Sequence, residues 1–339
     1  MDIYGMTLED LENYFISINE KKFKAIQVFE WLYKKRINSI DDMSNIKKDT
    51  LNKIKETFYL GDIKIITKQV GKDVIKFLFE LKDKQKVEAV LMRHDYGNSL
   101  CISTQVGCNM GCTFCESGRL KKVRNLEVSE MVLQILKIEE EIKERISHVV
   151  LMGIGEPFDN YENVIKFINI INSGKGIDIG ARHITVSTSG IVPKIKQFII
   201  DGKQVNLAIS LHASNDTLRS KLMKINKVYP LNELINVLKE YIEKTNRRVT
   251  FEYILLNGVN DSIDNALELA KLVKGMNCYI NLIPYNETSH IEYKKSSKEN
   301  ILKFYDTLKK NKVNVTIRKE FGSEVDAACG QLRANYERS

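Results

Sequence analysis

The chain has 339 residues, and its 43% hydrophobic and 28% charged residues are typical of globular proteins rather than disordered or fibrous ones. Lysine and arginine outnumber aspartate and glutamate by 52 to 44, which gives a modest net charge of +8. Six dispersed cysteines are too few for a disulfide-stapled secreted fold, the first residues carry no basic-then-apolar signal, and no apolar run approaches about 18 residues. We therefore expect a cytoplasmic protein of two domains, or of one large domain with an appendage.

The first hundred residues contain two kinds of pattern. Residues 7–58 are predicted to be helical, because their apolar side chains recur at helical spacing. Residues 62–104 alternate apolar and polar side chains between turn residues, which predicts antiparallel strands. We therefore expect an N-terminal helical domain over 1–60, followed by an antiparallel β extension over 61–97.

From residue 99 onward, short apolar strands alternate with amphipathic helices. The predicted strands cover 100–103, 148–152, 183–187, 206–211, 248–255, 278–283 and 313–318. The predicted helices cover 129–143, 161–171, 231–243, 266–274 and 297–310. Such alternation implies a parallel sheet with right-handed crossovers, and about six units are fewer than the eight of a closed barrel. We expect an α/β fold, a partial (β/α)6 barrel over 98–339, with ligands at the C-terminal ends of its strands.

Three cysteines at C-x3-C-x2-C spacing, Cys108, Cys112 and Cys115, directly follow the first predicted strand of the barrel. Three thiolates can hold three irons of a four-iron cluster and leave the fourth iron open to a chelating molecule. A structural zinc site is the alternative, although zinc takes four ligands, usually in C-x2-C pairs. Three unrelated buried thiols are a weaker explanation, because burial gives no reason for this spacing.

The cysteine loop after a barrel strand resembles that of the radical S-adenosylmethionine (SAM) enzymes. Other segments resemble, more narrowly, the RlmN/Cfr family, which methylates an adenosine of 23S ribosomal RNA. These segments are VVLMGIGEPFDN at 149–160, ARHITVSTSG at 181–190, AISLHA at 208–213, NLIPYN at 281–286 and DAACGQL at 326–332. Residues 22–48 also resemble the accessory domain of that family, so the resemblance covers essentially the whole chain. It implies a radical SAM barrel with an N-terminal RNA-binding domain.

The resemblance also implies the cofactors: a [4Fe-4S] cluster on the three cysteines, and two SAM molecules per turnover. One SAM is the methyl donor and the other is the source of a radical. The implied SAM contacts are Gly155, Glu156, Ser187, Ser210, Leu211, His212 and Asn286. Without the resemblance, residues 153–157 would be a tight strand–helix turn, and His212 would be a packed, hydrogen-bonded histidine.

Two further cysteines have implied roles. By resemblance, Cys329 carries a methyl group, and Cys101 resolves a transient protein–RNA cross-link by forming a disulfide with it. In the family scheme, a 5′-deoxyadenosyl radical removes hydrogen from the S-methyl group, and the carbon radical adds to the adenine ring. Without the resemblance, both residues would be small buried side chains, a common role for cysteine. Cys278 matches no catalytic position, and we expect it to lie in the core.

Glu88 is the candidate base of this scheme. It lies in a predicted strand whose Val87 and Ala89 share one face, so that Glu88 points to the other face. Without the resemblance, a solvent-facing glutamate is an equally good interpretation. By resemblance, Glu88 accepts the proton that leaves the ring carbon.

Clusters of basic residues are consistent with RNA as the partner. They comprise Arg119, Lys121, Lys122 and Arg124 after the cysteine loop, Lys21, Lys22, Lys24, Lys34, Lys35 and Arg36 in the helical domain, and Lys309, Lys310, Lys312, Arg318 and Lys319 near the C-terminus. Charge alone supports RNA binding weakly, because a charged run is often a solvated face. The resemblance implies 23S ribosomal RNA, often also transfer RNA, as substrate, together with a flavodoxin- or ferredoxin-like electron donor. We expect a monomer.

Three residues depart from the family pattern: Glu116, Lys121 and Lys224 stand where a small residue, a glycine and a proline are usual. Pro157 favours the RlmN type, which acts on carbon 2 of the adenosine. The alternative is a Cfr-type enzyme, which acts on carbon 8 and confers antibiotic resistance. An alternative of a different class is a non-catalytic, zinc-containing RNA-binding protein.

Overall fold

The computed structural model describes residues 1–119, 121–288, 290–318 and 331–336, so Cys329 lies outside the described residues. In these ranges the helices are α1 (Leu8–Ser17), α2 (Phe23–Glu30), α3 (Lys48–Thr57), α4 (Val128–Ile142), α5 (Tyr161–Asn172), α6 (Val192–Asp201), α7 (Asp216–Leu222), α8 (Leu231–Thr245), α9 (Ile263–Leu272), α10 (Lys298–Lys310) and α11 (Gln331–Tyr336). The strands are β1 (Lys64–Val70), β2 (Val74–Glu80), β3 (Lys86–His94), β4 (Gly97–Cys101), β5 (Gln105–Val106), β6 (Arg124–Asn125), β7 (Ile146–Leu151), β8 (Ile184–Thr188), β9 (Asn206–Ser210), β10 (Val249–Leu255), β11 (Cys278–Pro284) and β12 (Val315–Ile317).

The N-terminal residues fold into the predicted helices. α1 begins with a capping box, in which the Thr7 hydroxyl accepts from the Asp10 N–H and the Asp10 carboxylate accepts from the Thr7 N–H. Its apolar side chains, among them Leu11 and Phe15, are buried in a core shared with the rest of the chain. The helical part is therefore attached to the barrel by continuous apolar packing.

One sheet of ten strands runs through the described residues, in the order β1-β2-β3-β4-β7-β8-β9-β10-β11-β12. The strands from β1 to β4 are antiparallel, and those from β4 onward are parallel. The antiparallel strands are thus continuous with the barrel sheet: Cys101 of β4 lies opposite Val90 of β3 on one side and Val150 of β7 on the other. The predicted partial parallel barrel is confirmed.

The predicted helices of the barrel are present, with ends that differ by up to three residues. Three helices, α6, α7 and α11, were not predicted. Pro193 in the first turn of α6 is a helix-start signal that could have identified it. α7 has only seven residues, which is too short for a clear apolar period, although Asn215 caps it by accepting from the Leu218 N–H.

Along each barrel strand, successive side chains point alternately to the face that packs against the helices and to the face inside the barrel. Leu100 of β4 and Val149 of β7 are fully buried on the helix-packed face. The next residues along each strand, Cys101 and Val150, belong to a separate apolar cluster inside the barrel. This interior face ends at the C-terminal edge of the parallel strands, which is where the cysteine loop begins. No helix in the described ranges is long and apolar enough to cross a membrane.

Candidate active site

A cavity of about 340 Å³ lies at the C-terminal ends of the parallel strands. Ten of the thirteen site residues predicted from the sequence line it: Cys101, Cys108, Cys112, Cys115, Gly155, Glu156, Ser187, Ser210, His212 and Asn286. These residues come from the ends of β4, β7, β8, β9 and β11 and from the loops that follow. Since they are up to 185 positions apart in the chain, the fold itself assembles them.

The cysteine loop is fixed by the segment that follows β9. The Thr113 N–H donates to the Leu222 carbonyl at 2.9 Å, and the Cys115 N–H donates to the Cys112 carbonyl at 3.3 Å. Gly111 has a φ of +61°, and a Cβ built on it would lie 3.2 Å from the Lys224 side chain. Glycine therefore suits both the backbone conformation and the close packing at this point.

The three loop cysteines are half-buried at the wall of the cavity. Burial raises the pKa of Cys108 to about 12, and neighbouring Cys115 and Glu156 act in the same direction. Burial also raises the pKa of Cys112, to which both other thiols contribute. Deprotonating all three requires nearby positive charge, which the irons of a cluster supply.

Among the described residues, no three His, Cys, Asp or Glu side chains converge on one ion. A four-iron cluster does not need such convergence, because each thiolate binds a different iron. The half-buried, mutually repelling thiols at the edge of an open cavity therefore fit a cluster.

Glu156 is buried, with 3% of its surface exposed, and it lies at the cavity wall. Its carboxylate accepts from the Ser189 N–H at 2.7 Å and from the Phe158 N–H at 3.0 Å. Burial raises its pKa, and these hydrogen bonds act against that effect. Glu156 thus caps the turn at Pro157–Asn160, as the simpler interpretation expected, and also presents a carboxylate to the cavity.

The glycines before Glu156 allow close packing of the cavity floor. A Cβ on Gly153 would lie 2.5 Å from the Ile102 carbonyl oxygen. Gly155 has a φ of +113°, and a Cβ there would lie 2.7 Å from the Gln105 Cβ. Neither position accepts a side chain without movement of β4 or of the loop after it.

His212 is a buried residue with a φ of +57° at the end of β9. Its Nδ1 accepts from the Ile254 N–H at 3.0 Å, so the neutral ring carries its proton on Nε2. Burial lowers its pKa to about 3, and the charge of Arg219 contributes. The ring packs edge-on against Phe114 of the cysteine loop, with 4.8 Å between the ring centroids. His212 is therefore both a packed, hydrogen-bonded histidine and a neutral donor at the cavity.

The Leu211 side chain is fully buried in the main core and is not among the residues that line the cavity, so its SAM contact stays a prediction. Its backbone N–H donates to the Glu252 carbonyl at 3.0 Å. The polar neighbours Ser210 and His212 face the cavity instead. Leu211 therefore anchors the end of β9 to the core.

Glu88 is not a solvent-facing glutamate, since only 3% of its surface is exposed. Its Oε2 lies 3.0 Å from the Lys76 Nζ, and its Oε1 accepts from the Arg333 N–H of α11 at 2.6 Å. Lys76 lines the cavity whereas Glu88 does not, so the pair extends from the cavity wall outward. Cys101 and Lys76 lie on either side of Val90 in the strand register.

The cavity residues that were not identified as site residues from the sequence include Lys76, Glu252 and Arg318, whose side chains are charged. Burial raises the pKa of Glu252, which accepts from the Asn281 amide at 2.9 Å, while Arg318 acts in the opposite direction. Arg318, which the sequence grouped with a C-terminal basic cluster, lines the cavity. A lysine within the apolar run of β2 was the one available signal for Lys76.

Cys278 is buried in the main core as predicted.

Six of the basic residues in the predicted clusters are paired with acids. The observed ion pairs are Lys22–Glu12, Lys24–Glu20, Lys34–Glu30, Arg36–Glu139, Lys122–Asp159 and Arg124–Glu130. Arg119 donates to the His290 carbonyl, and Lys319 lies outside the described residues. These side chains are therefore not freely charged, which leaves them a weak argument for RNA binding. Four exposed lysines form no ion pair in the described part of the chain and follow the cysteine loop or lie at or after the end of α7, which contacts that loop: Lys121, Lys221, Lys224 and Lys227.

Known proteins resemble this chain over its whole length. Residues 102–270 match the Radical SAM superfamily, and residues 1–60 match the Ribosomal RNA large subunit methyltransferase N-terminal domain. A protein of Spiroplasma citri described as "Probable dual-specificity RNA methyltransferase RlmN" is 54% identical over 339 residues, which cover 99% of this chain and 98% of the relative. A protein of Enterococcus faecalis with the same description is 55% identical over 341 residues, covering 98% and 96%. The crystal structure of a radical SAM methyltransferase from Sphaerobacter thermophilus matches with a TM-score of 0.91 at 39% identity, covering 98% of each chain.

A partial parallel barrel with a three-cysteine loop at its strand ends is the architecture of radical SAM enzymes, which use a [4Fe-4S] cluster and SAM. The chain belongs to the RlmN family of radical SAM RNA methyltransferases. It is therefore an enzyme whose substrate is RNA, and the resemblance found in the sequence is confirmed.

Proposed function

We propose that this enzyme methylates carbon 2 of an adenosine in 23S ribosomal RNA, by way of a methyl group carried on Cys329. The observation that supports this most is the presence of Cys101 in the same cavity as the proposed cluster and SAM ligands. The description of the relatives as dual-specificity RNA methyltransferases favours a second RNA substrate, which we propose is transfer RNA.

Cys108, Cys112 and Cys115 would hold the cluster, and the remaining polar groups of the cavity would hold SAM. When both are bound, they supply a carbon-centred radical by one-electron cleavage of SAM. The Glu156 carboxylate would accept hydrogen bonds from the SAM ammonium group, because two backbone N–H groups leave it with free lone pairs. The neutral His212 would donate from Nε2, and the Ser187 and Ser210 hydroxyls can donate or accept.

Carbon 2 of adenine is electron-poor and is not a nucleophile, so direct displacement on the SAM methyl group fails. Once a carbon radical carried on the Cys329 sulfur has joined the ring, the ring must lose one electron, which the proposed cluster would accept, and one hydrogen, which departs as a proton. Glu88 is the proposed acceptor. Lys76 balances its buried charge, and the Arg333 N–H fixes its second oxygen. α11, which carries Arg333, begins two positions after Cys329 in the chain.

Cys101 is the proposed resolving thiol. Its thiolate attacks the Cys329 sulfur, so the bond between that sulfur and the transferred carbon breaks as the disulfide forms. The electron pair stays on the carbon, which takes up a proton and becomes the methyl group. Cys101 is buried, with 6% of its surface exposed, which keeps it from competing thiols in solution. An external reductant must then restore both thiols.

RNA would approach over the rim lysines, which are Lys121, Lys221, Lys224 and Lys227. They are exposed beside the cysteine loop, and Lys224 packs against Gly111 within it. Phosphate groups bound there would bring the RNA backbone to the mouth of the cavity. The reactive adenine must leave its base stack to reach the carbon proposed to be carried on Cys329 and the Cys101 thiol of the cavity.

Anaerobic purification, followed by iron and sulfide analysis and transfer of labelled methyl groups from SAM to 23S ribosomal RNA, tests this proposal. We expect about four irons per chain and methylated RNA. The variant C108A should lose both, whereas C278A, a matched buried cysteine outside the cavity, should lose neither. A colourless protein with one zinc and no iron would overturn the proposal.

A further inference from the structure

Arg219 of α7 is fully buried behind the cysteine loop. Its guanidinium donates to the carbonyls of Ser189 at 2.6 Å, Ser210 at 3.1 Å and Leu211 at 3.2 Å. Its fourth hydrogen bond, at 3.0 Å, is to the side-chain oxygen of Asn226. All four acceptors are neutral, although a buried guanidinium ordinarily requires a negatively charged partner.

No carboxylate in the described part of the chain forms an ion pair with Arg219. The nearest carboxylate to act on it is that of Asp216, but the Asn226 amide stands between the two. That amide donates to Asp216 at 2.8 Å, and Asp216 also accepts from the Leu231 N–H. Asp216, the first residue of α7, is thus held by groups of the segment that follows α7 and forms no direct ion pair with Arg219.

The other charged group that acts on Arg219 is Cys112 of the cysteine loop. α7 ends directly on this loop, since the Leu222 carbonyl accepts from the Thr113 N–H at 2.9 Å. Burial lowers the pKa of Arg219 to about 10, and the Cys112 thiolate acts in the opposite direction. Arg219 therefore lies close to the loop that would hold the cluster, and thiolates bound to iron there would supply negative charge.

A four-iron cluster on three thiolates carries a net charge of −1 when oxidised and −2 when reduced. A nearby buried cation favours the reduced form, because interactions between charges are strong where water is excluded. Arg219 also joins the ends of β8 and β9 through the Ser189 and Ser210 carbonyls. These strand ends carry the proposed SAM contacts.

We propose that Arg219 is the built-in counter-ion of the cluster, a positioning residue that raises the cluster's reduction potential and braces the SAM-binding strand ends. This inference rests on the proposed binding of the cluster by Cys108, Cys112 and Cys115. The effect on the potential and the effect on SAM binding can be separated with R219K, because lysine keeps the charge of Arg219 but loses most of its hydrogen bonds.

The test is an EPR-monitored redox titration of the anaerobically reconstituted enzyme, with iron content measured on each sample. R219Q should keep its iron and show a more negative cluster potential than the wild type. R219K should keep a potential close to that of the wild type and bind SAM roughly five- to ten-fold more weakly. The matched control is R247Q. Arg247 donates to Asn206 at the opposite end of β9, so its loss should leave the potential unchanged.

If R219Q does not fold, the double variant D216N/N226D gives the same test with Arg219 in place. It moves the carboxylate from position 216 to the Nη1 partner of Arg219, avoids a clash between two carboxylates, and should also make the potential more negative. A wild-type potential in an iron-loaded R219Q or D216N/N226D, or an equal shift in R247Q, would overturn the inference. Absence of a cluster in the wild type would instead overturn the cysteine assignment, so the two failures are distinguishable.

Discussion

The Lys76 Nζ lies 3.0 Å from the Glu88 Oε2, and 1% and 3% of the two side chains are exposed. Lys76 faces the cavity, while Glu88 also holds the backbone of α11 through Arg333. This pair therefore connects the antiparallel strands, the cavity and the helix that follows the proposed methyl-carrying cysteine.

Breaking this pair should be costly. K76M leaves Glu88 buried without its counter-charge, and we expect the free energy of unfolding to fall by roughly 3–5 kcal/mol. The double variant K76M/E88M removes both charges and should recover most of that loss. Urea denaturation monitored by circular dichroism measures both. If K76M unfolds at the wild-type urea concentration, the pair does not carry this energy.

Removing the proposed base should stop turnover after the RNA is attached to the protein. E88Q keeps an oxygen for the Arg333 N–H but cannot take up the proton, so we expect a covalent protein–RNA adduct and turnover slower by roughly a hundred-fold or more. C101A should give the same adduct, because it removes the resolving thiol. Denaturing gels after reaction with labelled RNA detect it. C278A is the control, and normal turnover by E88Q would rule out its role as the base.

The buried His212 predicts a pH dependence of stability. Its pKa is about 3 in the folded protein and near 6.5 when unfolded, so between these values the unfolded chain binds the extra proton. Stability contributed by neutral His212 is thus full above pH 6.5 and falls below it by about 1.4 kcal/mol per pH unit. H212N lacks this titration, so the difference in unfolding free energy between wild type and variant should shrink as the pH falls from 7 to 5. A constant difference would contradict the assignment.

If the rim lysines bind RNA phosphates, they should account for much of the salt dependence of RNA affinity. Replacing Lys121, Lys221, Lys224 and Lys227 by alanine should weaken binding and lower the slope of log K against log salt by roughly 0.7–0.9 for each phosphate group that the variant no longer binds. The matched control replaces Lys22, Lys24 and Lys34, whose charges are already paired with glutamates, and should change the slope little. Filter binding or fluorescence anisotropy at several salt concentrations gives the slopes. Equal slopes for the two variants would exclude the rim lysines as the main phosphate-binding groups.

The cavity residues that could be predicted from the sequence are those that lie close together in the chain, in motifs at the ends of strands. The C-x3-C-x2-C loop and the residues that follow β7, β8 and β9 lie at strand ends, and parallel topology brings strand ends together. The Lys76–Glu88 pair was not predictable in this way, because it depends on the register of β2 and β3, which places Leu78 opposite Glu88. A shift of one residue would turn Lys76 to the other face of the sheet.

The partners of Arg219 and of the basic clusters were not predicted, for a related reason. The acceptors of Arg219 lie as far as 30 positions away, and α7 is too short to show which face is buried. Basic residues that form a run along the chain are paired with acids that are near or far in the sequence, as Lys24 is with Glu20 and Arg36 with Glu139. Counting charges along the sequence does not reveal these partners, since the fold chooses them.

The central claim is that the methyl group reaches carbon 2 of an adenosine by way of Cys329. Its most direct test is mass spectrometry of adenosines from 23S ribosomal RNA of a strain that lacks its own enzyme of this family and expresses this chain. We predict 2-methyladenosine with the wild-type chain and none with C329A at equal protein level. Methylation of carbon 8 alone, or unchanged 2-methyladenosine with C329A, would contradict the account.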